Sequence, residues 1–80
     1  MSYEKMWIAL SDKCDENANI HGLMLSSGDK IEVRIRGRAR EEMKLTFKCY
    51  NRYYGSIITI TEDGKEMLVK MSHVIYIKKL

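Results

Sequence analysis

The hydrophobic and polar positions of this 80-residue chain follow two periods, one before and one after Gly28. Before Gly28, large or apolar side chains recur every three or four residues, at Tyr3, Met6, Trp7, Leu10 and Cys14. This spacing places them on one face of a helix over residues 3–16. Ser2 can cap the first turn, and Gly22 lies in the loop that we expect to follow. We therefore predict an N-terminal helix whose apolar face covers a core.

After Gly28 the period changes to two, which is typical of β-strands with one face on a core. The segment "DKIEVRIRG" has Ile31, Val33 and Ile35 on one face and charged side chains on the other. In "KLTFKCY", the side chains that we expect to face solvent are Thr46, Lys48 and Tyr50. The alternation predicts strands near residues 31–38, 43–50, 53–62, 65–71 and 74–79.

The dipeptide Asp63-Gly64 is the strongest turn signal of the chain, because a type I′ hairpin turn needs positive φ at both central residues. A two-residue turn at this position sets Ile58 opposite Val69. Together these elements predict a single domain over residues 1–80 that is mainly β (α+β by content). Its architecture would be the N-terminal helix followed by a five-stranded antiparallel barrel of the small SH3-like or Sm-like type.

The closing segment "MLVKMSHVIYIKK" interrupts the alternation, since it is apolar at successive positions from Val74 to Ile77. The polar pair Ser72-His73 separates its two strands, and Lys70 precedes this break. A strand that is apolar on both faces needs cover on both faces. The N-terminal helix or a second copy of the chain could supply that cover, and the sequence leaves both open.

This segment resembles the second sequence motif of the Sm and Sm-like (Lsm, Hfq) RNA-binding proteins. In that motif an apolar strand leads to a basic residue, a short polar break and a Val-x-Tyr-Ile strand. The stretch "LVKMSHVIYI" supplies these features with Lys70 as the basic residue, although Met71 stands where the family has glycine or histidine. The segment also looks somewhat like the YolD-like family, small bacterial proteins of a related barrel type.

The resemblance implies a homo-oligomeric ring in which the strand before the break pairs with the strand after the break of the next subunit. It also implies that RNA binds near the break. The residues that it places in the subunit interface are Val69, Met71, Val74, Ile75, Tyr76 and Ile77.

The positive charge of the chain is concentrated in its second part. Residues 1–30 hold three lysines against five acidic residues, whereas residues 31–80 hold eleven Lys and Arg against six acidic residues, for a total of +3. In "RIRGRAR" the arginines recur at strand spacing, with rows about 6.6 Å apart, which is close to the spacing of phosphates along a single strand. The alternative is a charged strand face that prevents edge pairing.

Aromatic side chains interleave with basic ones in "CYNRYYG". Exposed tyrosines beside arginines form the kind of platform on which bases of single-stranded nucleic acid stack. Packing across neighbouring strands is the alternative for these tyrosines. The residues that we predict to contact nucleic acid are Arg34, Arg36, Arg38, Arg40, Lys48, Arg52, Tyr53, Tyr54, Lys70 and His73.

The sequence shows no spacing typical of catalysis, of a cofactor or of a metal site. The two cysteines, Cys14 and Cys49, are far apart, and we expect free thiols in a cytoplasmic protein without a membrane span. The function predicted is a non-enzymatic RNA regulator or chaperone that binds single-stranded RNA, with DNA as a second choice. The alternative is an SH3-like protein-interaction module, such as a phage or host accessory protein, whose last strand docks a partner strand.

Overall fold

The computed structural model describes residues 14–37 and 42–80, of which 67% lie in strands. The strands are β1 Cys14–Asp15, β2 Asn17–Ile20, β3 Leu23–Ser26, β4 Lys30–Ile35, β5 Glu42–Asn51, β6 Ser56–Ile60, β7 Glu66–Lys70 and β8 Val74–Lys79. A turn of 3-10 helix, Met71–His73, joins β7 to β8, and these two described ranges contain no α-helix. Strands β4 to β8 overlap the five predicted strands.

The predicted helix over residues 3–16 is wrong where the structure can be compared with it. Cys14 and Asp15 form strand β1 and pair with β5, while residues 3–13 lie outside the described residues. The prediction of free thiols is also wrong, because a disulfide bond joins Cys14 to Cys49 of β5. At Cys14 and Asp15, this covalent link and the ladder beside it override the helical spacing of the sequence.

The larger sheet is open, so the predicted closed barrel is wrong. Its strand order is β7-β6-β5-β4-β8, all neighbours are antiparallel, and β1 pairs in addition with β5. Strands β7 and β8 form its two edges and share no ladder. The turn Met71–His73 makes backbone hydrogen bonds to Gly55 and Arg36, which direct β8 onto β4 instead of β7.

Strands β2 and β3 form a separate hairpin at residues predicted as loop, with positive φ at His21 and Gly22 in its turn. This hairpin and the inner face of the larger sheet enclose the core. The core cluster consists of Ile20, Leu25, Ile31, Val33, Leu45, Phe47, Ile57 and Val69. These side chains are 4% exposed or less.

The hairpin β6–β7 has a different register from the predicted one. Its connection is a β-turn in which the N–H of Gly64 donates to the carbonyl of Thr61. The N–H of Thr61 in turn donates to the carbonyl of Lys65. Gly64 has φ of +84°, whereas Asp63 is not among the described residues with positive φ, so the turn is not type I′. The longer connection shifts the pairing by one residue and sets Val69 opposite Ile57 in the core.

A bulge in β5 changes which side chains face the core. The register shifts between Phe47 and Cys49, so Lys48 is an inserted residue. The insertion turns Tyr50 inward, where it packs against the core cluster. Our prediction that Tyr50 faces solvent is therefore wrong, because a bulge moves the alternation by one position.

A second bulge accounts for the successive apolar positions of β8. The register shifts there, so Ile75 is inserted between Val74 and Tyr76. Val74 and Ile77 pack against the core cluster, and the Tyr76 hydroxyl bonds to a carboxylate of β4. Of the four side chains from Val74 to Ile77, only the inserted Ile75 is largely exposed, at 59%. Much of the apolar surface of β8 is thus covered within one chain.

Candidate nucleic-acid interface

Three segments meet where the 3-10 turn connects the two edges of the sheet. The N–H of Met71 donates to the carbonyl of Gly55 at 2.9 Å, and the N–H of Arg36 donates to the carbonyl of His73 at 2.7 Å. These two bonds join the turn to the start of β6 on one side and to the end of β4 on the other. They bring together residues that are far apart in the sequence.

The cavity at this meeting point, which we call the basic groove, has a volume of about 480 Å³. Its lining residues are Ile35, Arg36, Gly37, Met67, Leu68, Val69, Lys70 and His73. Arg36, Lys70 and His73 are exposed, and none of them takes part in a salt bridge within residues 14–37 and 42–80. Two cationic side chains and an imidazole therefore line the groove together with apolar side chains.

The aromatic turn, residues 52–55, lies next to the basic groove because Ser56 pairs with Lys70 at the start of β6. Tyr53 and Tyr54 are 71% and 54% exposed, and their ring centroids are 4.8 Å apart in an edge-to-face arrangement. The fully buried Asn51 holds the turn, since its side-chain oxygen accepts the N–H of Tyr54 at 3.1 Å. The turn thus presents two aromatic rings to solvent beside a lysine.

Two of the predicted basic residues are neutralised by acidic partners. The Arg52 guanidinium lies 2.9 Å from a carboxylate oxygen of Asp15, and the Lys48 ammonium lies 2.9 Å from one of Glu66. Both pairs are partly exposed, so each contributes on the order of 0–1 kcal/mol to stability. A phosphate approaching Arg52 or Lys48 has to compete with these carboxylates.

Arg34 does not line the basic groove. It is half-buried in the middle of the sheet, where its neighbours on the adjacent strands are Glu42 and Tyr76. Tyr76 donates from its hydroxyl to Glu32 at 2.9 Å. Burial, followed by the carboxylates of Glu32 and Glu42, raises the pKa of Tyr76 to about 12. The row of arginines predicted from "RIRGRAR" is therefore divided between two environments, and Arg38 and Arg40 lie outside the described residues.

Most residues of the predicted subunit interface have contacts inside the chain. Val69 is buried, Met71, Val74 and Ile77 pack against the core cluster, and Tyr76 bonds to Glu32. Ile75 is the exposed member of the set.

Two residues of the site were missed by sequence reasoning. Leu68 is 50% exposed and lines the groove because it alternates with Met67 and Val69, which pack on the core. Asp15 contacts Arg52 because the segment around it is a strand rather than a helix. The alternation of "EMLVK" could have indicated that Leu68 faces away from the core.

Comparison with protein-family models, with curated proteins and with solved structures found no match to this chain. The resemblance to the Sm-like and YolD-like families accordingly stays a prediction. Within the described part of the chain, no helix has the length and apolar character needed to cross a membrane.

Proposed function

We propose that the protein is a non-enzymatic module that binds single-stranded nucleic acid, RNA before DNA, and acts as a regulator or chaperone. The observation that carries this proposal is the convergence of Arg36, Lys70 and His73 on one groove beside the exposed rings of the aromatic turn. Single-stranded nucleic acid is bound by this combination of a cationic groove and exposed aromatic faces.

In the proposed mechanism, Arg36 and Lys70 bind successive phosphates while Tyr53 or Tyr54 stacks on a base. Guanidinium groups match phosphate oxygens in a bidentate manner, and lysine acts as a point charge. Each stacked base is worth about 1–3 kcal/mol, which exceeds the contribution of one exposed ion pair. We therefore assign most of the affinity to stacking and most of the salt dependence to the groove.

We also propose that the protein associates with itself through the two edges of its larger sheet. Strands β7 and β8 end the order of the sheet, and each carries an exposed apolar side chain, Leu68 and Ile75 respectively. An exposed strand edge is a template for pairing with another strand. Pairing of β7 with β8 of the next copy would give the ring that the Sm-like resemblance implies.

The experiment that tests nucleic-acid binding is a titration of labelled U-rich RNA, A-rich RNA and single-stranded DNA, followed by fluorescence anisotropy at several salt concentrations. Each phosphate contact contributes about 0.7 to the slope of log K against log salt. Contacts from Arg36 and Lys70 predict a slope of about 1.4 in magnitude. A flat salt response, or no binding at low salt, would contradict the proposal.

A second candidate function is docking of a protein strand on β8. The exposed Ile75 borders a cavity of about 300 Å³ that is lined also by His21, Val74, Tyr76 and Ile77. A peptide that adds to this edge would bind through main-chain hydrogen bonds and place one side chain in the cavity. Two results together would favour this function. The unaltered protein would not bind RNA, and Ile75→Asp would no longer bind the protein partner that the unaltered protein captures.

We propose the cytoplasm as the compartment, although the disulfide bond removes the free thiols on which that expectation was based. The few disulfide bonds that form in that compartment are usually transient or redox-sensing. The protein therefore has to be considered both with the disulfide bond between Cys14 and Cys49 and with the two cysteines reduced to thiols.

A further inference from the structure

Asp15 lies over the arginine of the aromatic turn. Its carboxylate is 2.9 Å from the Arg52 guanidinium, whose side chain is 77% exposed. Arg52 directly precedes the two exposed tyrosines, so a phosphate next to a base stacked there would reach the same guanidinium. Asp15 and that phosphate would then compete for one cation.

The disulfide bond fixes Asp15 in this place. Strand β1 has only two residues, Cys14 and Asp15, and they pair with Asn51 and Tyr50. So short a strand has little stability of its own. On its other side, β1 is anchored through the carbonyl of Glu16, which accepts the N–H of Ser27 at 2.8 Å.

We infer that the Cys14–Cys49 disulfide and Asp15 form a redox-controlled mask over Arg52, which reduction removes. In the oxidised protein the disulfide holds the carboxylate against the guanidinium. In the reduced protein β1 keeps its anchor at Glu16 but loses the link to Cys49, and Arg52 becomes available to phosphate. This inference rests on the proposed function, because it concerns the regulation of the same nucleic-acid interface.

The reductant would be a dithiol. Cys14 is half-buried and Cys49 is 6% exposed, so the first thiolate attacks the sulfur of Cys14. A mixed disulfide forms at Cys14 while Cys49 leaves as a thiolate and takes up a proton. The second thiol of the reductant then displaces Cys14, which also becomes a thiol. Two electrons and two protons pass to the protein, and the reductant leaves as its own cyclic disulfide.

The test compares the affinity for U-rich and A-rich RNA of four forms of the full chain. These are the unaltered protein and Asp15→Asn, each oxidised and each reduced with dithiothreitol. We expect oxidised Asp15→Asn to bind about threefold more tightly than the oxidised unaltered protein, as expected for removal of one exposed carboxylate from an ion pair. Its salt slope should be steeper by about 0.7, the value for one additional phosphate contact.

Reduction of the unaltered protein should likewise tighten RNA binding and steepen the salt slope. Reduction of Asp15→Asn should change neither the affinity nor the slope. Glu62→Gln is the matched control, because it removes one exposed carboxylate for which the described residues show no ion pair. It should change the affinity by less than Asp15→Asn and leave the salt slope unaltered. The comparison of oxidised Asp15→Asn with the oxidised unaltered protein tests the mask even if the reduced protein does not stay folded.

The outcomes separate the inference from the proposed function. Absence of RNA binding by every form overturns both. Binding by all four forms with equal affinities and slopes overturns the inference and leaves the proposed function in place. Weaker binding after reduction of a protein that circular dichroism shows to be folded also overturns the inference, since it would mean that the disulfide supports the interface.

Discussion

Tyr76 lies where strand β8 meets the carboxylates of two neighbouring strands. Its hydroxyl donates to Glu32 at 2.9 Å, and the carboxylate of Glu42 also acts on it. Burial and these carboxylates raise its pKa from 10.0 to about 12. The folded protein therefore keeps the protonated phenol at a pH where an unfolded chain loses the proton.

This difference predicts a dependence of stability on alkaline pH. The folded pKa is raised, so the stabilisation from Tyr76 is fully present below pH 10 and is lost as the pH rises towards about 12. Urea unfolding across this range should show that loss, and Tyr76→Phe should show a smaller pH dependence. The absorbance of the phenolates should include an ionisation near pH 12 that is absent from Tyr76→Phe. Identical ionisation curves for the two proteins would contradict this account.

The arginines illustrate what sequence can and cannot say at this scale. Alternation correctly places Arg34 on the face of β4 that points away from the core, whereas Ile31 and Val33 point into the core. It does not show that Arg34 has Glu42 and Tyr76 beside it while Arg36 lines a groove, because neighbours depend on strand order. Contacts between distant segments are absent from any local pattern.

At the scale of elements, the turn at residues 61–65 determines the register of β7. Gly64 has φ of +84°, a conformation that costs a non-glycine residue about 1–2 kcal/mol. We expect Gly64→Ala to lower the free energy of unfolding by about 1 kcal/mol, and Gly64→Asn to lower it by less, because asparagine tolerates this conformation better. Urea denaturation of both variants measures the difference. Equal stability of Gly64→Ala and the unaltered protein would show that the turn is different from the one described.

The element scale also shows why strands were easier to predict than their pairing. Five strands overlap the predicted ones because alternation is a local property of the sequence. The bulge at Lys48 inserts a residue that no pattern marks, whereas the bulge at Ile75 shows in the sequence only as an interrupted alternation. Strand β1 was hidden within a helical spacing that tertiary contacts override, above all the bond between Cys14 and Cys49.

At the scale of the whole molecule, the open edges of the sheet predict self-association. Leu68 on β7 is 50% exposed and contributes little to the core, so Leu68→Lys should disturb an edge contact without unfolding the chain. We expect light scattering on a sizing column to give a multiple of the chain mass for the unaltered protein and a smaller mass for Leu68→Lys.

Met24→Lys is the matched control for this measurement. Met24 is 61% exposed and lies on β3 of the separate hairpin, which is not one of the two edge strands of the larger sheet. It should leave the mass of the assembly unchanged. A monomeric unaltered protein at high concentration would contradict self-association through these edges.

The central claim is that the basic groove binds nucleic acid, and a pair of double variants tests it most directly. Arg36→Ala with Lys70→Ala removes both cations of the groove, whereas Lys44→Ala with Lys78→Ala removes two exposed cations that flank Glu32 on the sheet. In anisotropy titrations with U-rich RNA, the groove variant should bind more weakly, with a salt slope smaller by about 1.4. The control should keep most of its affinity and its slope. Equal losses in the two double variants, or no loss in the groove variant, would contradict the claim.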